Sequence, residues 1–227
     1  MIKTDYISHM GTDMTVCDAA RVSFDKEASQ YPLEQNHKLI MYLAKHVHIT
    51  PFTHPQITLR ETVPIFVARQ RFKHVVGFTY NEVSRRYVDD TPEFYIPDVW
   101  RNRPEGSVKQ GSGSTFVGEM YFNDPVRGVS DFVHPTEAYN IYLEIAATLY
   151  EDMLKAGVAP EQARMVLPQS MLTSYYVTGS LAAWARAYKQ RSDPHAQIEI
   201  QELAKQWDSI LRPLYPVSWA ALTRGEY

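Results

Sequence analysis

The amino-acid sequence predicts a mixed α+β protein, a central sheet packed with long helices. Apolar residues recur at helical spacing in several separated stretches, while Ile57, Leu59 and Val63 alternate as in a half-buried strand. With 227 residues, 44% hydrophobic and 22% charged, the chain is long and apolar enough to bury a full core.

Taken in order, Leu39, Ile40, Leu43 and Ala44 predict a helix from about Leu33 to Lys45, followed by the strand through Ile57 and Val63. Pro64 suits the first turn of a helix running through Phe72, which would put Arg69, Gln70 and Lys73 on its polar side, with positions 69 and 73 stacked four apart. Between Asn102 and His134 the chain carries Gly106, Gly111, Gly113, Gly118 and Gly128 with weak apolar periodicity. This predicts a surface insertion loop at about 102–134 in a single domain spanning 1–227, either a lid over a ligand or a plain excursion. Thr136 and Glu137 open a helix through Ile141, Ile145, Leu149 and Met153 that Gly157 stops. Tyr175, Tyr176 and Val177 mark a strand over Ser170 to Thr178, and Ser180 caps a helix through Trp184 and Tyr188. Asp193 and Pro194 begin the last long helix, with Ile200, Leu203, Trp207 and Ile210 facing inward.

Composition narrows the class of protein. The opening Met-Ile-Lys-Thr-Asp-Tyr lacks an apolar signal region, and no run approaches the roughly 18 apolar residues of a membrane span, so a cytoplasmic protein is expected, with no membrane partner. The single cysteine, Cys17, excludes an internal disulfide and a multi-cysteine metal site, and its surroundings predict a buried thiol. A pI near 6.2 argues against a nucleic-acid binder. Against a net charge of -3, however, the nineteen residues from Arg69 to Tyr87 hold five Lys/Arg and one acid. Guanidinium forks and an ammonium gathered in this way point to a small anionic ligand.

The common nucleotide and hydrolase motifs are missing: no Gly-x-x-x-x-Gly-Lys-Ser/Thr loop, no Gly-x-Gly-x-x-Gly, no His-Glu-x-x-His and no Gly-x-Ser-x-Gly. His46, His48 and His54 cluster in sequence, but no carboxylate or thiol accompanies them at ligand spacing, so no metal is expected.

Several separated blocks closely resemble the flavin-dependent thymidylate synthases, the ThyX family. They are Ala20-Arg21-Val22-Ser23-Phe24, Pro51-Phe52-Thr53-His54, Pro64-Ile65-Phe66-Val67-Ala68-Arg69-Gln70, Asn81-Glu82-Val83-Ser84-Arg85-Arg86-Tyr87 and Glu93-Phe94-Tyr95-Ile96-Pro97, then Ala163 to Pro168 and Arg191 to Gln197. They cover most of the chain in the family's order. The resemblance implies the family's fold and its reaction: a methylene group passes from 5,10-methylenetetrahydrofolate to C5 of dUMP and is reduced by hydride from an FAD that NADPH has reduced, giving dTMP. No cysteine nucleophile is needed, in keeping with the lone Cys17. The resemblance also implies a homotetramer whose active sites combine residues from several subunits.

Carried over position by position, the resemblance assigns Arg191 to the uracil ring, where a fixed guanidinium favours the ionised base. Arg86 and Arg164 match nucleotide-binding positions, chiefly for the phosphate, with Arg85 beside them. Gln70, Glu82 and Ser84 fall at the dUMP site, Ser84 as a binder and not a nucleophile; Glu82, Ser84 and Arg86 are spaced two apart, so that an extended or looping segment can point all three to one side. His48, which the resemblance also places among the catalytic positions, and Thr50 lie near the flavin and its phosphates; Asn81, Glu82 and His74 are further flavin positions. Where the family carries Arg-His-Arg, this chain reads Lys73-His74-Val75, so Lys73 would meet either the flavin or the nucleotide phosphate as a point charge and Val75 cannot donate. Where it often carries Asn-x-Arg and then Asn, the chain has Ser180, Ala182 and Arg186, and Arg186 is the candidate to replace charge at the FAD diphosphate. Two other readings stay open on the residues: a relative acting on dCMP or installing a hydroxymethyl group, and a non-catalytic nucleotide- or RNA-binding protein on the same scaffold.

Overall fold

A period-two pattern organises the first buried strand, and the sheet grows from it. In the computed structural model, which describes residues 1–88, 90–104, 111–126 and 128–225, β1 (Lys3–Met10) pairs antiparallel with β2 (Gln56–Pro64), from Lys3 opposite Thr62 to Met10 opposite Gln56. The register shifts between Tyr6 and Ser8. Ile57, Leu59, Glu61 and Val63 are fully buried on one face of β2. With β3 (Phe78–Glu82) and β6 (Leu172–Ser180) the sheet runs in the order β1-β2-β6-β3. Hydroxyl pairs tie β2 to β6, Thr58 to Thr178 at 2.9 Å and Thr62 to Ser174 at 2.7 Å.

The chain divides into two compact units, the first made of Ile2–Thr62, Arg69–Asn81 and Ser174–Tyr227. Its core is aromatic. α6 (Leu181–Arg191) and α7 (Ile198–Leu214) bring Trp184 and Trp207 together at 5.4 Å, both fully buried, and the Trp184 indole donates to the Ile57 carbonyl. α1 (Asp13–Arg21), α2 (Leu33–Lys45) and α8 (Pro216–Arg224) complete it. The Asp13 carboxylate accepts from the backbone N–H groups of Val217 and Ser218, both at 2.9 Å, and so satisfies the first turn of α8. Cys17 is buried there, its thiol donating to the Asn36 carbonyl and pushed up to about 11 by burial.

The second unit holds Val63–Ala68 and Glu82–Thr173. α3 (Ile65–Arg71) starts one residue after Pro64, and its first free N–H groups, on Ile65 and Phe66, donate to the Met171 and Gln169 carbonyls. β4 (Met120–Asp124) and β5 (Val129–Val133) form an antiparallel hairpin. α4 (Pro135–Lys155) ends where Gly157, at φ +88, donates to Leu154 while Val158 donates to Met153. The short α5 (Pro160–Ala163) follows.

The mixed α+β class is as the sequence predicts, and α2, β2, β6, α4 and the Ser180 cap of α6 fall where expected. Four details differ. α3 stops at Arg71, so Lys73 leaves the stack with Arg69 and sits in a turn onto Gln70. The last long helix starts at Ile198, because the Asp193 carboxylate folds back onto the His195 N–H and holds residues 193–195 in a turn. Within 102–134 the hairpin β4–β5 stands where weak periodicity predicted only loop; residues 105–110 and 127 of that stretch lie outside the described residues. β1, α1, β3 and α8 are additional elements.

Candidate active site

Two clusters of predicted site residues form, one in each unit. In the first unit, the end of α3 and the turn behind it meet the C-terminus of α6. Arg191, the last residue of α6, donates through Nε to His74 Nε2 at 2.8 Å and through Nη2 to the Gln70 carbonyl at 3.4 Å. The Gln70 side-chain amide pairs with Gln197. His74 is buried, only 7% exposed, and its imidazole is pulled down to about 4, first by burial and then by the guanidinium groups of Arg71, Arg191 and Arg186. It is therefore neutral at physiological pH, an acceptor at Nε2. Burial and Arg71 also lower Arg191 from its ordinary value.

Below this pair lies a group that sequence reasoning missed. Arg71 counted in the basic stretch as a possible ligand contact, yet its side chain is fully buried. Its Nε donates to both oxygens of Glu61, at 3.1 and 3.3 Å, and its guanidinium lies 4.4 to 5.2 Å from the centres of the Phe78, Tyr80, Trp184 and Trp207 rings. The Tyr175 hydroxyl and the Trp207 indole also donate to Glu61. Arg71 Nη1 donates to the Tyr80 hydroxyl at 2.6 Å, and that hydroxyl donates to the His74 carbonyl at 2.7 Å. The available signal was Glu61 itself, a charge at an inward position of an alternating strand.

Lys73 is exposed beside this cluster, as are Val75 and Val76. Arg186 is exposed on α6 with its guanidinium on the Val76 carbonyl, and Asn81 is exposed near the end of β3. His48 and Thr50 sit elsewhere in the same unit, both exposed, on a pocket of about 300 Å³ lined with Ser23, Leu43, Pro51 and His54. The loop to His48 leaves α2 through Val47 at φ +59, a left-handed conformation that costs a β-branched residue about 1–2 kcal/mol. Val47 and His48 donate back to Ala44 and Leu43 and close the helix end, and the His48 ring lies nearly parallel to Tyr42 at 6.1 Å.

The second unit gathers the remaining candidates. Arg86 and Arg164, distant in sequence, both reach Glu161: Arg86 Nε approaches its carboxylate at 3.6 Å, and Arg164 Nε donates to its carbonyl at 3.2 Å. Both arginines are exposed. Arg85 is turned away onto Asp90. Glu82 accepts from the Thr173 hydroxyl at 2.7 Å, and the Ser84 hydroxyl accepts from the Arg86 N–H at 3.3 Å. β3 ends at Glu82 and residues 85–87 form a turn, so of the extended or looping segment expected for Glu82, Ser84 and Arg86 the looping form is the one present.

In one unit the partly buried Arg191 is held by His74 and Gln70 beside the fully buried Arg71; in the other, Arg86 and Arg164 are exposed. The family described as thymidylate synthase complementing protein matches residues 5–217. The flavin-dependent thymidylate synthases of Thermosipho africanus and Thermotoga neapolitana are each 34% identical to this chain, covering 97% and 98% of it and 90% and 91% of their own lengths. Among solved structures, PolB from Streptomyces cacaoi, a UMP/dUMP methylase bound with 5-Br dUMP, matches with a TM-score of 0.80 at 28% identity, over 99% of this chain and 95% of its own. The chain belongs to the flavin-dependent thymidylate synthase family.

Proposed function

We propose that this protein transfers the methylene group of 5,10-methylenetetrahydrofolate to C5 of dUMP and reduces it with hydride from an FAD reduced by NADPH, giving dTMP. The observation that carries this reading is the Arg191 guanidinium, held by His74 and Gln70 in a chain matched to the family over 5–217. A guanidinium fixed in this way stabilises negative charge on a uracil ring and favours the ionised base. Arg86 and Arg164 offer two forks for a phosphate, with Ser84 and Glu82 as hydrogen-bonding partners for the nucleotide. Since the two clusters belong to separate units and the resemblance implies a homotetramer with shared sites, each is assigned by its own chemistry.

Two places in the first unit offer chemistry suited to parts of a flavin dinucleotide. Hydroxyls of Ser23 and Thr50 and the rings of His48 and His54 line a pocket at the lower end of the range for ligand sites. Exposed Lys73 and Arg186 supply charge for a diphosphate, beside apolar Val75 and Val76. When bound, the flavin supplies the hydride; the protein's own task is to hold and polarise the pyrimidine. Among the described residues no helix is long and apolar enough to cross a membrane.

Incubating the pure protein with FAD, NADPH, methylenetetrahydrofolate and dUMP, and weighing the nucleotide product, tests the proposal. dTMP is expected; unchanged dUMP from a flavin-loaded protein would overturn it. The likeness to a UMP/dUMP methylase favours one second reading, that UMP is also accepted, and the same assay with UMP decides it.

A further inference from the structure

We propose that His74 is a positioning residue: a hydrogen-bond acceptor, anchored to the buried Glu61–Arg71 pair, that sets the plane of the Arg191 guanidinium. The inference rests on the reading of Arg191 as the uracil contact, and extends it to the residues that make Arg191 an oriented fork instead of a flexible cation.

Two bonds hold Arg191. The bond to the Gln70 carbonyl, at 3.4 Å, is at the limit of useful length, whereas the bond to His74 Nε2, at 2.8 Å, is short and charge-assisted. Arg191 is therefore oriented chiefly by an imidazole. An imidazole is an acceptor only while neutral, and a protonated one would repel Arg191. The surroundings keep it neutral. α3 presents the Arg71 guanidinium and α6 presents Arg186 and Arg191, while β3 contributes the Tyr80 hydroxyl. An imidazolium here would be a further cation among three guanidinium groups in a largely buried place, disfavoured by charge repulsion and desolvation together.

The backbone that carries the imidazole is also anchored. The carbonyl of His74 accepts from Tyr80, whose hydroxyl is held by Arg71, whose guanidinium is held by Glu61. Glu61 is in turn clasped by Tyr175 and Trp207. Each link is a direct hydrogen bond, so the core ion pair anchors the backbone of His74, and its Arg71 member adds to the burial that disfavours protonation of the ring. On this account the tripeptide Lys73-His74-Val75 keeps the one member of the family's pattern that acts through Arg191.

The test compares His74→Leu with His74→Gln, whose longer amide side chain can place an uncharged acceptor where Nε2 lies. dUMP affinity by calorimetry should fall about 10- to 100-fold in His74→Leu and return to within about threefold of the native protein in His74→Gln. Equal losses in both variants, or native affinity in His74→Leu, would overturn the proposal. An independent reading uses nitrogen NMR of the folded, native protein. At neutral pH His74 should show an unprotonated Nε2 and Arg191 a slowly exchanging Nε–H that persists in His74→Gln and is lost in His74→Leu. A protonated Nε2, or a rapidly exchanging Arg191 Nε–H in the native protein, would also overturn it. Arg191→Ala separates the two levels: if that variant binds dUMP normally while the NMR signatures hold, the uracil role of Arg191 fails and the positioning of Arg191 by His74 stands.

Discussion

The two arginine clusters use the same chemical group in opposite environments. Around His74, Arg71 is fully buried, stacked on four rings and locked to Glu61, and Arg191 inherits a fixed direction from it. Around Glu161, Arg86 is 51% exposed and its ion pair stretches to 3.6 Å. An exposed pair of that length contributes under about 1 kcal/mol, because water screens it and two long side chains lose freedom to form it. Breaking the buried pair is worth several times more, since the remaining charge stays in the core without a partner. In the proposed function this contrast corresponds to two recognition tasks. There, a planar base that must be polarised in one direction meets a guanidinium whose orientation is set in advance, while a phosphate meets exposed guanidinium forks free to turn onto its oxygens.

The largest expected effect tests the buried side. Glu61→Ala should destabilise the protein by about 3–5 kcal/mol in denaturant unfolding, by leaving Arg71 unpaired among Phe78, Tyr80, Trp184 and Trp207. A loss below about 1 kcal/mol would mean that the two clusters do not differ as described.

A somewhat smaller effect comes from pH. His74 is pulled from its ordinary value near 6.5 to about 4 in the folded protein, so the unfolded chain binds the proton first. Stability linked to His74 is complete above about pH 6.5, falls as the pH drops toward 4 and is gone below it, a loss of up to about 3 kcal/mol. Unfolding curves between pH 7 and 4 should show this slope, and His74→Gln should flatten it. An identical slope in the variant would assign it to other groups.

The smallest effects belong to the exposed cluster. Arg164→Ala should weaken dUMP binding about tenfold at low salt and much less at high salt, whereas Arg191→Ala should keep its deficit across the same range. Glu161→Ala should change stability by less than about 1 kcal/mol. A large stability loss there would show that Glu161 is a structural partner of the arginines and erase the contrast.

Much of this was legible in the residues and some was not, for identifiable reasons. The periodicities of α2, α4 and β2, the Ser180 cap and the Gly157 stop are local signals, and the structure repeats them. β1 escaped because Lys-Thr-Asp-Tyr-Ile-Ser-His-Met lacks an alternating apolar face; it is a strand through its pairing with β2, at the edge of the sheet. α8 is short, and its start depends on Asp13, some two hundred residues away. The basic stretch from Arg69 pointed to anion chemistry, but no local rule separates Arg71 from its neighbours, because its burial is set by Glu61 ahead of it and Trp207 behind.

The sequence by itself determined the class of fold, the helices and strands with their own periodicity, and the family whose blocks it carries, since these depend on residue order over short distances. Only the tertiary structure decided which cations face solvent and which face the core, that His74 is a neutral acceptor for Arg191, and that Arg86 and Arg164 converge on Glu161. Those properties depend on desolvation and on distances between residues far apart in the chain, and neither exists until the chain has folded.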